Sequence, residues 1–119
     1  MSSSNLERLK AEGIKVGHCR YAVLFSDEKV DETEEAFDYS IRAHIDYERS
    51  EIVLREWLTP SVIKECLWHE VKHAVLYNAG GLNPSDRRSA DSIFARQESG
   101  EVGVIQDNPV LVAFLMETA

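Results

Sequence analysis

A stretch of the form His-Glu-x-x-His, at residues 69–73, lies inside a largely apolar run over residues 61–77. Thr59 and Pro60 precede this run. Thr59 can cap free helix amides, and Pro60 suits the first helical position because it has no N–H to satisfy. The sequence therefore predicts a helix that begins near Pro60 and ends at about residue 77 or 78, before a Gly-Gly pair at residues 80–81.

On such a helix His69 and His73 lie on the same face, because side chains four residues apart are stacked one above the other. Two imidazoles placed in this way can bind one tetrahedral metal ion, and Glu70 beside them can act as a general base. The pattern is typical of zinc peptidases. We therefore predict Zn²⁺ as the cofactor, His69 and His73 as metal ligands, and Glu70 as the catalytic residue.

The predicted helix has two apolar stripes. His69 and His73 belong to one, which we expect to face the body of the domain, with Cys66 as a small core residue on the same stripe. Glu70 belongs to the second stripe. An isolated charged carboxylate in apolar surroundings is costly, and an activated water beside it would remove much of that cost.

A catalytic zinc site needs a third protein ligand and one open position. No histidine follows His73, so the third ligand is expected to be a downstream carboxylate, and the candidates are Asp86, Asp91, Glu98 and Glu101. A second helix is predicted from residue 85 to about residue 97, and Asp91 and Glu98, seven residues apart, would share one face of it. We favour Asp91, which follows His73 by 18 residues, with Glu98 as the alternative third ligand.

The remaining pattern predicts an α+β fold, in which a small antiparallel or mixed three-stranded sheet packs on the motif helix with one or two C-terminal helices. The strands are expected at residues 18–25, 39–46 and 51–55, the last two as a hairpin. We expect residues 51–55 to form the exposed edge strand. Residues 1–12 are predicted to be a frayed or weakly helical start, residues 27–38 a solvated loop or short helix, and residues 110–116 the last helix.

Length and charge restrict the class of protein further. The 119 residues fit one domain, and the net charge of −8 argues against direct binding to nucleic acid. There is no apolar run of membrane-spanning length and no signal-peptide pattern at the N-terminus, and Cys19 and Cys66 do not suggest a disulfide framework. We therefore expect a cytoplasmic protein without a membrane partner; the oligomeric state is unknown.

The segment Leu-Trp-His-Glu-Val-Lys-His-Ala-Val at residues 67–75 resembles the motif helix of the ImmA/IrrE-type zincin-like metallopeptidases, most closely small proteins of phages and mobile elements. The tail Val-Ile-Gln-Asp-Asn-Pro-Val-Leu-Val-Ala-Phe-Leu at residues 104–115 is similar to the end of those proteins. The resemblance covers residues 18–115 and implies a minimal zincin-like fold, with His69, His73 and Asp91 as zinc ligands and Glu70 as the base. The family acid at the third position is Glu, whereas Asp91 is shorter.

This resemblance implies a zinc-dependent endopeptidase that hydrolyses a protein substrate such as the transcriptional repressor of a phage or mobile element, in the host cytoplasm if the chain is phage-encoded. The substrate would lie extended along an edge strand, and His18 and His44 are candidates to stabilise the oxyanion. The alternative is a catalytically weak or inactive zincin-like protein that acts by binding a host or phage regulator. A third reading is a structural polar cluster without metal.

Overall fold

The computed structural model describes residues 3–37, 41–79 and 90–118; within these ranges nothing is stated of the side chains of residues 36, 37 and 90–95. In the described part, five helices and four strands follow one another in the order α1 Ser4–Glu12, β1 Ile14–Val16, β2 Cys19–Phe25, α2 Asp27–Phe37, β3 Ala43–Asp46, β4 Glu51–Leu54, α3 Pro60–Asn78, α4 Ala90–Asp107 and α5 Pro109–Leu115. The predicted α+β class is confirmed. The expected number of three strands is wrong, because residues 14–16 form a fourth.

The four strands make one mixed sheet in the order β1-β2-β4-β3. β1 and β2 pair antiparallel, β2 and β4 pair parallel, and β3 and β4 form the predicted antiparallel hairpin. The prediction that residues 51–55 form the exposed edge is wrong, since β4 is paired on both sides. Within the described residues β3 is the outer strand on this side of the sheet, beside β4, and it lies against α3.

The first residues form a helix, which is one of the two forms predicted for residues 1–12. The hydroxyl of Ser3 accepts a hydrogen bond from the amide of Leu6 at 3.1 Å and so caps α1. Leu6 and Leu9 are buried, and α1 packs against α5 and β2. Tertiary packing stabilises this helix, because each buried leucine side chain contributes roughly 1.5–3 kcal/mol to stability.

The acidic run after β2 forms α2, which is one of the two predicted forms. Arg55, at the end of β4, anchors this helix: its guanidinium contacts Asp31 at 2.6 Å and Glu34 at 2.8 Å, and the arginine is 7% exposed. A buried cation requires such paired acids. Part of the acidity of residues 27–38 therefore has a structural role.

The motif helix α3 begins at Pro60 and extends to Asn78, as predicted, although the Thr59 side chain makes no capping hydrogen bond. The glycine pair at residues 80–81 lies outside the described residues. The buried face of α3 consists of Ile63, Leu67, Glu70, Val71, Ala74 and Val75. Our assignment of the two stripes was wrong, because Glu70 faces the core whereas His69 is exposed and His73 half-buried.

α4 is longer than the predicted helix over residues 85–97 and continues to Asp107 through two glycines. Gly100 lies directly against α3, since a Cβ built there would be 2.8 Å from Cγ1 of Val75. Gly103 has open space around it. The close approach at Gly100 therefore fixes how α4 lies along the motif helix.

Asn108 connects the C-terminal helices to the sheet. It is buried at the start of α5, where the sequence predicted a helix start before Pro109. Its Oδ1 accepts from the Lys15 amide at 2.8 Å, and its Nδ2 donates to the Lys15 carbonyl at 2.7 Å. The side-chain amide thus satisfies the outward-facing backbone groups of β1 as a neighbouring strand would.

Candidate metal centre

The two motif histidines converge on one point at the surface of α3. Their Nε2 atoms are 2.9 Å apart, and the rings meet edge to face with centroids 4.6 Å apart. The cause is local, because residues four apart on a helix overlie one another. Burial and the neighbouring His69 lower the pKa of His73, so this imidazole is neutral at pH 7, as a metal ligand must be.

This donor pair fits a zinc ion. Two nitrogens bound at ~2.0–2.1 Å to a tetrahedral zinc lie roughly 3.3 Å apart, close to the separation seen here. Without an ion, the same contact is an Nε2–H donor facing an Nε2 acceptor, with the two rings in different tautomers. The geometry is therefore suited to chelation by His69 and His73, and needs only a slight opening of the pair.

Glu70 lies beside the histidines but is only 6% exposed. Burial raises the pKa of its carboxyl from 4.5 to about 7. A carboxyl group in this position can accept and return a proton near neutral pH, which is the requirement for a general base. Among the sequence-predicted site residues, Glu70 thus has the most strongly altered chemistry.

The third ligand is not among the described side chains. In the described part of the chain, no group of three His, Cys, Asp or Glu side chains is arranged to hold a metal ion. Glu98 is described, is exposed on α4, and is not brought to the histidines. Asp91 belongs to the first turn of α4, but its side chain lies outside the described residues, as does Asp86.

An open cavity of about 370 Å³ separates the motif from β3. It is lined by Thr33, Ile41, Ala43, His44, Ile45, Tyr47, His69, Glu70 and His73. A second cavity, of about 300 Å³, adjoins it and is lined by Ile41, Arg42, Ala43, Glu65, Cys66, His69 and Glu70. Glu70 therefore faces space that continues along the outer strand of the sheet.

Tyr47 is the functional candidate that the sequence reasoning missed. It follows β3, lines the larger cavity, and is half-buried. Burial raises the pKa of its phenol, and Glu70 and Tyr77 raise it further, so the hydroxyl keeps its proton at neutral pH. The available signal was its position in the chain, directly after the alternating run of Ile41, Ala43 and Ile45.

The two histidines proposed for the oxyanion lie less favourably. His18 is exposed in the turn between β1 and β2, at the opposite edge of the sheet from β3. His44 lines the cavity, but its ring nitrogens are both 3.4 Å from Oγ1 of Thr33 on α2. Burial lowers the pKa of His44, which keeps the ring neutral. Cys66 is a free, half-buried thiol at the edge of the site.

Comparison of the chain with protein-family models, with curated proteins and with solved structures gave no match. The resemblance to the ImmA/IrrE type therefore stays a prediction. In the described residues, no helix has the length and apolar character needed to cross a bilayer.

Proposed function

We propose that the protein is a zinc-dependent endopeptidase that hydrolyses a protein substrate held in extended conformation. The observation that carries the proposal is the convergence of the His69 and His73 Nε2 atoms at 2.9 Å on one helix, with the Glu70 carboxyl buried beside them. When bound, zinc supplies Lewis-acid chemistry: it polarises the scissile carbonyl and makes water acidic enough to be deprotonated near pH 7.

The chain's own residues would perform the proton transfers. Glu70 accepts a proton from the attacking water and delivers it to the leaving amine nitrogen. In the metal-free protein burial raises the pKa of this carboxyl to about 7, and a zinc ion bound by the two histidines would lower it again by favouring the carboxylate.

The outer strand supplies a surface for the substrate backbone. The amide of Arg55 donates to the carbonyl of Arg42 at 3.0 Å, so this opposed pair is hydrogen-bonded. Because hydrogen-bonded and non-bonded pairs alternate in an antiparallel hairpin, the backbone groups of Ala43 and Ile45 face away from β4. An extended peptide can pair with them and pass beside Glu70.

Zinc content and peptidase activity test the proposal together. The purified protein should bind about one zinc per chain, and His69→Ala and His73→Ala should lose it. Glu70→Gln should keep the zinc and lose cleavage of a denatured protein substrate. Full activity of Glu70→Gln, or activity that survives complete removal of zinc, contradicts the proposed mechanism.

Asp91 is the third ligand in this proposal, supported by its spacing from His73 along the chain. Asp91→Ala should weaken zinc binding by at least ~10-fold, whereas Glu98→Ala should leave it unchanged. The opposite result would transfer the ligand role to Glu98.

The substrate class suggested by the ImmA/IrrE resemblance is a transcriptional repressor, which can be assayed directly as a cleavage target.

The second candidate function is binding of a regulator without cleavage. It is favoured by an apolar groove of about 430 Å³ away from the motif, lined by Lys64, Glu65, Trp68, Ile105, Leu111, Val112, Leu115 and Met116. A stable complex with an uncleaved regulator, at full zinc occupancy, would select this function instead.

A further inference from the structure

Tyr47 lies on the side of the hairpin that faces the motif helix. Ile41, Ala43 and Ile45 line the cavities beside α3, and Tyr47, the first residue of the turn after β3, lines the larger of them. The same cavity wall includes His69, Glu70 and His73. The phenol is thus placed at the end of the strand along which a substrate would lie.

The Tyr47 ring is held in place from two directions. It stacks on Tyr77 with ring centroids 4.3 Å apart and an interplanar angle of 12°. Tyr77 is one helical turn beyond His73 on α3, so the stack ties Tyr47 to the metal-ligand helix. The following turn is fixed by Oδ1 of Asp46, which accepts from the amides of Glu48 and Arg49 at 3.1 and 3.0 Å.

The other hydroxyl in the cavity wall is already engaged. Oγ1 of Thr33 donates to the carbonyl of Lys29 at 3.2 Å and contacts the ring of His44. His44 is directed toward α2 by that contact. Among the described residues that line the cavity, the phenol of Tyr47 is therefore the best-placed neutral O–H donor.

We propose that Tyr47 is a catalytic residue of this site, whose phenol donates a hydrogen bond to the scissile carbonyl oxygen as negative charge develops on it. The inference rests on the proposed peptidase function. In the reaction the water oxygen bonds to the carbonyl carbon, the carbon–nitrogen bond breaks, and the water proton passes through Glu70 to the amine. Tyr47 keeps its own proton throughout and acts only by hydrogen bonding.

The test compares Tyr47→Phe with the matched control Tyr77→Phe. Each substitution removes one hydroxyl from the same ring stack, but Tyr77 is 50% exposed and lies outside the cavity wall. Removal of one preorganised oxyanion donor typically lowers kcat by ~10²–10³. We expect that loss for Tyr47→Phe with KM nearly unchanged, and less than about a twofold change in kcat for Tyr77→Phe.

A merely structural role makes different predictions. If Tyr47 only fills space, Tyr47→Phe keeps the stack and has wild-type kcat, whereas Tyr47→Leu is impaired. If Tyr47 is catalytic, both variants lose kcat to a similar extent. Thermal unfolding and zinc content, measured on each variant, separate loss of fold or metal from loss of the donor.

A binding measurement keeps the inference falsifiable should a variant be poorly folded at assay temperature. At low temperature, the zinc-loaded Tyr47→Phe protein should bind a phosphinic peptide, a stable tetrahedral mimic, at least ~10-fold more weakly than wild type. Its affinity for zinc should not change. Equal phosphinic-peptide affinities in wild type and Tyr47→Phe would overturn the role of Tyr47.

The outcomes also separate this inference from the proposed function. If wild type cleaves substrate and Tyr47→Phe is equally active, the inference fails and the peptidase proposal stands. If zinc-loaded wild type neither cleaves substrate nor binds the phosphinic peptide, the peptidase proposal fails and the role of Tyr47 fails with it. If Tyr47→Phe loses kcat and affinity for the phosphinic peptide while wild type and Tyr77→Phe keep both, the peptidase proposal and the role of Tyr47 are both supported.

Discussion

Glu70→Gln is expected to stabilise the metal-free protein at alkaline pH while it removes the proposed base. The carboxyl is 6% exposed, and burial raises its pKa from 4.5 to about 7. A raised carboxyl pKa means that the folded state binds the proton more tightly than the unfolded state. The ionised side chain therefore costs stability, and the neutral amide does not carry this cost.

The size of the effect follows from the shift. About 2.5 pKa units at ~1.4 kcal/mol per unit correspond to roughly 3 kcal/mol. The penalty is absent below pH 4.5, grows between pH 4.5 and 7, and is complete above pH 7. Because the amide must also be desolvated, we expect a net gain of about 1–3 kcal/mol at pH 8.5 and a much smaller one at pH 4.5.

Urea unfolding with a chelator present measures this gain. For a protein of this size, 2 kcal/mol corresponds to a midpoint shift of roughly 1 M urea. Glu65→Gln is the matched control, since Glu65 is an exposed acid on the same helix. Its free energy of unfolding should change by less than ~0.5 kcal/mol. A Glu70→Gln gain that is equal at both pH values, or a loss at pH 8.5, would refute the reasoning.

Three further predictions concern the framework of the site. Gly100→Ala should destabilise the protein by about 1–3 kcal/mol, because its Cβ would meet Val75 at 2.8 Å, whereas Gly103→Ala, with open space, should be neutral or stabilising by up to ~1 kcal/mol; urea midpoints compare the two. Asn108→Ala should cost about 2–3 kcal/mol and speed hydrogen exchange of the Lys15 amide, while Asp107→Ala, at an exposed neighbour, should do neither. In the inactive Glu70→Gln background, Ala43→Pro should weaken binding of a substrate peptide with little change in stability, since the Ala43 amide faces away from β4. The control His44→Pro should destabilise the hairpin. A stable Ala43→Pro protein that binds the peptide fully would exclude β3 as the docking strand.

Local signals in the sequence predicted the motif helix and its neighbours well. Pro60 and Pro109 each mark the first turn of a helix, and the hairpin of β3 and β4 follows from two short alternating runs. The pairing of His69 with His73 is also local, because it depends only on helix geometry. These features need no knowledge of distant contacts.

The errors have non-local causes. The position of β4 inside the sheet depends on its parallel pairing with β2, which nothing within residues 51–55 specifies. The length of α4 was underestimated because Gly100 reads as a helix breaker, although close packing on Val75 requires it. Both stripes of α3 are apolar enough to be buried, and packing against the sheet and α4 decides which of them faces the core.

The two borders of the sheet differ in what they allow. On β1, the backbone groups of Lys15 are occupied by the Asn108 side chain, whereas on β3 those of Ala43 and Ile45 face outward. Two molecules that joined their sheets would thus have to pair β3 with β3. Each molecule would then cover the open edge of the other. Association by strand addition stops at a pair, whereas a sheet open on both sides can add copies without end and grow into a fibre.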